Sequence, residues 1–169
     1  MTAVVTVALQ GSSAPKTVPS GYYSIPVSSP TDVRSGVQIC DAGFYCSGGV
    51  RTKCPVGRYA DTTGVTDPQC VGTCDAGFFC PEGSASKQQE QCGSGSDPAN
   101  FYCPAGTTQR LQVPNNFYST PTNYPENQRS GIAACPRDYV CIKGKRYRAL
   151  QFTDSVCRNA QVCHFCCTT

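Results

Sequence analysis

The segments CDAGFYC, residues 40–46, and CDAGFFC, residues 74–80, are nearly identical and decide how this chain folds. Each places two cysteines around five residues that include a glycine, which is the composition of an irregular hairpin with glycine at its turn. Four more cysteines follow the two segments: Cys54, Cys70, Cys92 and Cys103. With eight cysteines in residues 40–103, we predict that disulfides hold this part of the chain together.

The composition of the whole chain favours the same class of fold. The 169 residues include 14 cysteines, 16 glycines and 13 prolines, but one methionine and no tryptophan. Core-forming side chains are therefore scarce and turn formers are frequent. A disulfide that closes a loop of 15 or so residues contributes about 3 kcal/mol, so several of them match the stability of a small domain. We predict a small disulfide-rich fold of elongated tandem cysteine-rich modules, mostly irregular with short β-hairpins and little or no helix.

Cysteine content and charge limit where the protein works. Disulfides persist in oxidising compartments, so we expect an extracellular or cell-surface protein. The net charge of +3 is too small to predict nucleic-acid binding. No stretch approaches the roughly 20 apolar residues of a membrane span. Residues 1–9 carry no basic group before a short apolar run, unlike a signal peptide, so we expect a processed product or a segment of a longer protein.

Residues 18–46 and 113–141 form an ungapped internal repeat with an offset of 95 residues. Eleven of the 29 aligned positions are identical, and Arg34 and Arg129 are one of the identical pairs. Self-similarity at one fixed offset is the signature of a modular array. We predict one short strand pair in each copy: Tyr22–Ile25 with Val37–Ile39, and Phe117–Thr120 with Ile132–Ala134.

The repeat sets the predicted domain boundaries. They are an N-terminal strand and linker at 1–17, a first repeat at 18–112 with half-modules at 40–73 and 74–103, and a partial, degenerate second repeat at 113–169. The second copy replaces Asp-Ala-Gly by Pro-Arg-Asp at 136–138, and its later cysteines follow a different spacing. Terminal repeats are commonly atypical because they cap an array. A degenerate cap and a different C-terminal module are both compatible with these departures.

The cysteine spacing resembles that of known cysteine-rich modules. Residues 40–70 read CDAGFYCSGGVRTKCPVGRYADTTGVTDPQC, and their Cys-x2-Gly-x-Tyr/Phe half-repeats resemble ephrin-receptor-like and TNF-receptor-like modules. The longer pattern, from Tyr-Tyr-Ser at 22–24 to Tyr-Cys-Pro-Ala-Gly-Thr at 102–107, resembles the tandem cysteine-rich repeats of large secreted or surface proteins of protists and algae. This resemblance covers residues 11–146. It implies an extracellular modular architecture and no catalytic residues.

All fourteen cysteines are predicted members of a disulfide framework. They are Cys40, Cys46, Cys54, Cys70, Cys74, Cys80, Cys92, Cys103, Cys135, Cys141, Cys157, Cys163, Cys166 and Cys167. The close pairs in residues 40–103 are unlike the Cys-x2-Cys or Cys/His sets of zinc sites, so zinc is the minor alternative there. Short loops favour pairing within each half-module. In the tail, a Cys-x2-Cys pair surrounds His164 and is more metal-like, although disulfides, one of them between chains, are the favoured interpretation.

No catalytic machinery is recognisable in the chain. His164 is the only histidine, so a triad hydrolase would depend on it. Neither a nucleophile elbow nor paired carboxylates accompany it, and no phosphate-binding glycine fingerprint follows a predicted strand. We therefore predict a protein that is not an enzyme, with no cofactor and no metal.

Four basic residues lie close together near the end of the repeat and are the candidate glycan contact: Lys143, Lys145, Arg146 and Arg148. A cluster of this kind attracts sulfated or acidic glycans, and the alternative is a solvated turn. The segments 12–31 and 119–125 are rich in serine, threonine and proline, which makes them candidates for attached O-linked sugar.

Aromatic residues stand directly before several cysteines: Phe44, Tyr45, Phe78, Phe79, Phe101 and Tyr102. We predict that they pack on the disulfides as the small core of each half-module. The alternative interpretation of these rings is a sugar-binding platform.

An apolar, β-branched run near the N-terminus is the candidate subunit contact: Val4, Val5, Val7 and Leu9. The run is predicted to form a strand. It is either an edge strand of the first module or a strand that adds to the sheet of a neighbouring chain.

Together these patterns predict an extracellular structural protein. It would be a subunit of a surface filament, fibre or coat and would self-associate through residues 1–10 and 149–169. The alternative is a receptor-like or adhesive module that binds protein or glycan, which a defined ligand for the monomer would distinguish.

Overall fold

A computed structural model of the protein describes residues 6–7, 14–93 and 95–149, and its regular structure consists of short antiparallel hairpins. In each hairpin, a strand pairs with the next strand along the chain. The eight hairpins are β1 (Thr6–Val7) with β2 (Lys16–Thr17), β3 (Tyr22–Ile25) with β4 (Gly36–Ile39), β5 (Phe44–Ser47) with β6 (Val50–Lys53), β7 (Arg58–Tyr59) with β8 (Gly72–Thr73), β9 (Phe78–Phe79) with β10 (Glu90–Gln91), β11 (Phe101–Tyr102) with β12 (Leu111–Gln112), β13 (Phe117–Thr120) with β14 (Gly131–Ala134), and β15 (Tyr139–Ile142) with β16 (Lys145–Arg148).

Helical structure in the described ranges is limited to three single-turn 3₁₀ helices: Thr31–Val33, Pro98–Asn100 and Glu126–Gln128. Each begins beside or at a proline, whose fixed φ suits a first helical position. Among the described residues, no helix has the length and apolar character needed to cross a membrane. The prediction of a small disulfide-rich fold with short β-hairpins and without α-helix is confirmed.

Five disulfides pair the ten cysteines of the described residues in sequence order, the first with the second, the third with the fourth, and so on. They are Cys40–Cys46, Cys54–Cys70, Cys74–Cys80, Cys92–Cys103 and Cys135–Cys141. Sequence separations are 6 to 16 residues, so every disulfide closes a short loop. The first four close within one half-module, which is the pairing that short loops favour.

The buried interior of the first repeat is made of disulfides with a few small or aromatic neighbours. Cys40 and Cys46 form one cluster with Tyr23, against which Phe44 packs. A second cluster consists of Cys54, Ala60 and Cys70, with Tyr45 packed against it. These two aromatic rings therefore pack on disulfides, in agreement with the prediction of a small core.

The 95-residue repeat of the sequence is also a repeat of the structure. Hairpins β3–β4 and β5–β6 of the first copy recur residue for residue as β13–β14 and β15–β16. The predicted strand pairs are confirmed, with Gly36 and Gly131 added to their second strands. In both copies a buried serine donates its hydroxyl to a glycine carbonyl at 3.2 Å, Ser24 to Gly49 and Ser119 to Gly144.

The same offset relates the first described hairpin to a later one. Thr6 pairs with Thr17 and Val7 with Lys16, and 95 residues on, Phe101 pairs with Gln112 and Tyr102 with Leu111. Residues 6–7 and 16–17 therefore occupy the place in the repeat that the hairpin after Pro98–Asn100 occupies.

Backbone contacts between glycines and cysteines join successive loops of the first repeat. The Cys40 amide donates to the Gly21 carbonyl, and the Cys40 carbonyl accepts a hydrogen bond from the Gly64 amide, both at 2.8 Å. The same arrangement recurs with two further sets: Gly43, Cys54 and Gly83, and Gly57, Cys74 and Gly106. The middle residue is each time the first cysteine of a disulfide. We call these three sets the glycine–cysteine rungs.

Close approach of two backbones explains why the first residue of a rung is a glycine. A Cβ on Gly21 would lie 2.7 Å from the Gly64 carbonyl oxygen, and a Cβ on Gly43 would collide with the Gly83 carbonyl oxygen. Gly43 also has a φ of +83°, which L residues rarely adopt. Each rung thus depends on residues without side chains.

The described residues fall into two compact units. The first contains the residues up to Gln91 together with Pro104–Gln109, and the second contains Cys92–Cys103 together with the chain from Arg110 onward. The three glycine–cysteine rungs lie in the first unit. The second copy of the repeat, with the loop closed by Cys92 and Cys103, lies in the second.

Candidate binding surface

The four basic residues of the candidate glycan contact lie on the last described hairpin. Lys143 lies in the turn between β15 and β16 and has a φ of +50°, and the other three lie on β16. The structure brings them together with side chains from two other stretches of the second unit, the 3₁₀ turn Glu126–Gln128 and the loop before Pro98–Asn100.

Two of the four basic residues are held in ion pairs. Lys143 Nζ lies 2.8 Å from Asp97 Oδ2, and Lys145 Nζ lies 2.9 Å from Glu126 Oε2. The hydrogen bond from Lys143 lowers the pKa of the Asp97 carboxyl below its ordinary value, and the one to Glu126 raises the pKa of the Lys145 ammonium. Their positive charges are therefore compensated within the protein.

The two arginines of the group lie against tyrosines instead. Arg146 donates from Nη1 to the Tyr118 hydroxyl at 3.3 Å, and its guanidinium carbon lies 5.0 Å from the centre of that ring. Arg148 donates from Nε to the Tyr139 hydroxyl at 3.3 Å, which raises the pKa of Arg148. Within the described ranges neither arginine is in an ion pair, so both charges are uncompensated there.

A cleft of about 220 Å³ lies beside Arg146, and we call it the Arg129 cleft. Its walls include two tyrosines, three basic residues and one acid: Tyr118, Tyr147, Arg129, Lys145, Arg146 and Glu126. The cleft is smaller than the pockets of roughly 300–1,000 Å³ that hold drug-sized ligands. Its volume fits a single small group, and its walls combine aromatic surface with an excess of positive charge.

Arg129 is the buried charged residue of this cleft. The residue is 8% exposed, and its Nη1 donates to the Pro121 carbonyl. Its Nε has no hydrogen-bond partner among the described residues. Desolvation by burial lowers the pKa of the Arg129 guanidinium, against the opposite effect of the Glu126 charge. A buried donor without a partner costs free energy, so this N–H group is available to donate to an added acceptor.

The equivalent arginine of the first copy is fully engaged. Arg34 Nε donates to the Ser29 carbonyl at 2.8 Å, and its Nη2 donates to the Val27 carbonyl at 3.0 Å. Its Nη1 donates to the Ser24 carbonyl at 3.2 Å. The equivalent arginines therefore differ. Arg34 hydrogen-bonds three backbone carbonyls in the first copy, whereas Arg129 retains an unused donor in the second.

One residue of the candidate subunit contact is described. Val7 lies in β1, pairs with Lys16 and is 1% exposed. It is buried by the chain's own fold, which favours the edge-strand interpretation for this residue over a contact with another chain. Val4, Val5 and Leu9 lie outside the described residues.

Ten of the fourteen cysteines form the five disulfides, and the remaining four lie outside the described residues with His164. In the described part of the chain, no three histidine, cysteine, aspartate or glutamate side chains come together as a metal site. The metal-like spacing of the tail stays a prediction.

Sequence reasoning located the basic residues of this surface but missed the cleft. Tyr118, Glu126, Arg129 and Tyr147 were not among the candidate site residues. Arg129 is one of the eleven identities of the repeat, so the sequence did single it out, but as a structural position. Glu126 and Tyr147 carry no signal of their own, because Thr31 and Thr52 replace them in the first copy.

Comparison with known proteins adds no relative to this description. A scan against protein-family models finds no match to the chain, and a search of curated proteins finds none either. The resemblance to tandem cysteine-rich repeats therefore stays a prediction from the residues quoted above.

Proposed function

We propose that this protein is an extracellular structural protein, a disulfide-stapled repeat subunit of a surface filament, fibre or coat. The observation that carries the proposal is the set of glycine–cysteine rungs, through which three of the four disulfide loops of the first repeat hydrogen-bond to other loops. Half-modules that are joined through backbone bonds in this way are suited to an array. The five disulfides support an oxidising, secretory environment.

The terminal segments are the proposed joints of the assembly. Residues 6–7 and 16–17 reproduce the hairpin that precedes the second copy, so the same element precedes both copies of the repeat, as in a regular array. Repeat arrays commonly bury such end surfaces against neighbours.

Electron microscopy of the purified protein without reductant tests the assembly. We expect filaments or sheets with a regular repeat. Dispersed single particles at every concentration tested would overturn the proposal.

Cross-linking between chains of different isotopic label then locates the joints. In a mixture of ¹⁵N-labelled and unlabelled protein, we expect lysine cross-links between chains to join Lys16 to Lys143 or Lys145. Lys53 and Lys87 lie in the middle of the chain and serve as internal controls. Cross-links concentrated at those two lysines would contradict assembly through the terminal segments.

The alternative function, a binding module for protein or glycan, is favoured by one observation. The Arg129 cleft combines an uncompensated arginine, a buried donor without a partner and exposed tyrosine surface. A ligand for the dispersed monomer would support this alternative.

A further inference from the structure

The charges around the Arg129 cleft are arranged to attract an anion. Glu126, the one carboxylate in the walls of the cleft, forms an ion pair with Lys145 at 2.9 Å, so its negative charge is compensated. Arg129 and Arg146 then remain as two positive charges on the same cleft. Neither is in an ion pair with a described residue.

The donors available at these two arginines suit an oxyanion. A guanidinium presents its N–H groups in a planar fork that matches a carboxylate or a sulfate. On Arg129, the Nε edge of that fork has no acceptor among the described residues, although a residue that is only 8% exposed ordinarily has its donors paired. A small rotation of the guanidinium toward the cleft would pair this edge with an oxygen of a bound ligand. The free-energy cost of a buried donor without an acceptor would then be removed.

Tyrosine surface beside the charges favours a sugar as the carrier of the anion. Tyr147 is 41% exposed and lines the cleft with Tyr118. A tyrosine offers an apolar ring face and a polar hydroxyl, which is the combination that a sugar ring with its hydroxyls contacts. The volume of about 220 Å³ limits the occupant to one small unit.

We propose that the Arg129 cleft binds one acidic sugar unit of a glycan, with Arg129 and Arg146 holding its carboxylate or sulfate group. Tyr147 then packs on the sugar ring. The site lies within the second unit and needs no filament, so its test is separate from the test of assembly.

The first copy shows how the same site is closed. There Arg51, the equivalent of Arg146, lies 2.8 Å from Asp41, and the donors of Arg34 are taken by carbonyls. Pro136 stands at the position of Asp41 in the second copy. The loss of this one carboxylate is what leaves Arg146 open to an external anion.

Binding of defined oligosaccharides to dispersed wild-type protein, measured by calorimetry, is the test. The probes are a sulfated, a uronic-acid and a neutral disaccharide, with a short polyglutamate peptide as the protein-like anion. We expect binding of the sulfated or the uronic-acid probe, and the stronger of the two identifies the anionic group. No binding of either, or equal binding of the neutral disaccharide, would overturn the proposal. A preference for polyglutamate would overturn it in favour of an acidic protein partner.

Variants chosen by the repeat locate the site. Pro136→Asp places a carboxylate where Asp41 stands, and Arg146→Met removes one charge of the cleft. Each should weaken binding about tenfold, since a hydrogen bond to a charged group is worth that factor. Arg51→Met is the matched control in the first copy and should leave affinity unchanged.

Lys143→Met separates the cleft from a general attraction to basic residues. Lys143 belongs to the same basic segment but is paired with Asp97 and does not line the cleft. We expect its loss to change affinity by less than about threefold, because a solvent-exposed charge at a distance is screened by salt. A loss equal to that of Arg146→Met would show non-specific attraction and overturn the proposed site.

Discussion

The two copies of the repeat share a backbone and differ in what their side chains are committed to. In the first copy, Arg51 is paired with Asp41, and Gly43 admits the backbone of a later loop. In the second copy, Pro136 and Asp138 occupy the positions of Asp41 and Gly43. One hydrogen bond of Gly43 is kept at Asp138. The Asp138 carbonyl accepts the Ala149 amide, as the Gly43 carbonyl accepts the Cys54 amide.

The difference teaches that a few side-chain exchanges change what a shared backbone presents to its surroundings. The second copy carries charged and aromatic side chains instead, with Glu126, Lys145 and Tyr147 where the first has Thr31, Val50 and Thr52. These exchanges line the cleft and leave the hairpins themselves unaltered.

The largest expected difference between the copies concerns their matching disulfides. Cys40–Cys46 and Cys135–Cys141 both span six residues, so removing either loses about 2–3 kcal/mol of loop-closure entropy. Cys40 and Cys46 are fully buried, whereas the second pair is partly exposed. We expect Cys40→Ala/Cys46→Ala to lower the free energy of unfolding by at least about 1 kcal/mol more, because it also leaves a cavity.

Denaturant unfolding of both double variants without reductant measures this difference. Equal losses would show that loop closure alone sets the contribution of these disulfides, and that burial in the first copy adds nothing.

The glycine of the second rung is the next test. Gly43→Ala puts a Cβ on a left-handed residue and against the Gly83 carbonyl, which we expect to cost about 2–3 kcal/mol of unfolding free energy. Asp138→Ala at the equivalent position should change it by less than about 0.5 kcal/mol. Thermal melts of the two variants and the wild type provide the measurement. A tolerated Gly43→Ala would mean that the rung is not a fixed contact.

The paired arginines give a smaller contrast. Arg34→Met removes donors from the carbonyls of Ser24, Val27 and Ser29 and should lower the unfolding free energy by about 2 kcal/mol. Arg129→Met removes a bond to Pro121 but also an unpaired buried donor, so we expect a loss of about 1 kcal/mol or less. Chemical denaturation compares the two, and a larger loss for Arg129→Met would contradict the view that Arg129 is incompletely bonded.

The smallest effect is the pH dependence of the ion pair between Asp97 and Lys143. The pKa of Asp97 is lowered in the folded protein, so the pair stabilises the fold above the ordinary carboxyl pKa of about 4 and loses this contribution as the pH falls through the lowered value. The first copy has Gly48 in place of Lys143 and no such pair.

Melting temperatures of wild type and Asp97→Asn between neutral pH and pH 2 measure that contribution. The two curves should differ at neutral pH and converge in acid. A difference that persists at pH 2 would show that the substitution acts through something other than the carboxylate charge.

Much of the fold follows from the sequence because its determinants are local. The repeat predicts the strand pair beginning at Tyr22 to within one residue. The cysteine spacing favours disulfides within each half-module but leaves the partners of individual cysteines open. Pairing of neighbouring cysteines follows from the low entropy cost of short loops. These features require no knowledge of which distant residues meet.

The rungs and the cleft could not be predicted, because distant stretches form them. Gly43, for example, lies against the carbonyl of Gly83, which is 40 residues further along the chain. The spacings of the three rungs are irregular, so no period of the sequence reveals them. The cleft joins β13, the turn at Glu126 and β16, and its key property, the unused Nε of Arg129, depends on the absence of one backbone acceptor.

The order of the disulfides has a consequence for how the protein is made. In the described chain, the cysteines pair in the order in which they are synthesised, and no disulfide encloses another. A chain that enters an oxidising compartment from its N-terminus can therefore close every loop as soon as its second cysteine arrives. Correct oxidation then requires no later exchange of partners, and adding modules would lengthen biosynthesis without enlarging the number of cysteines that compete at any moment.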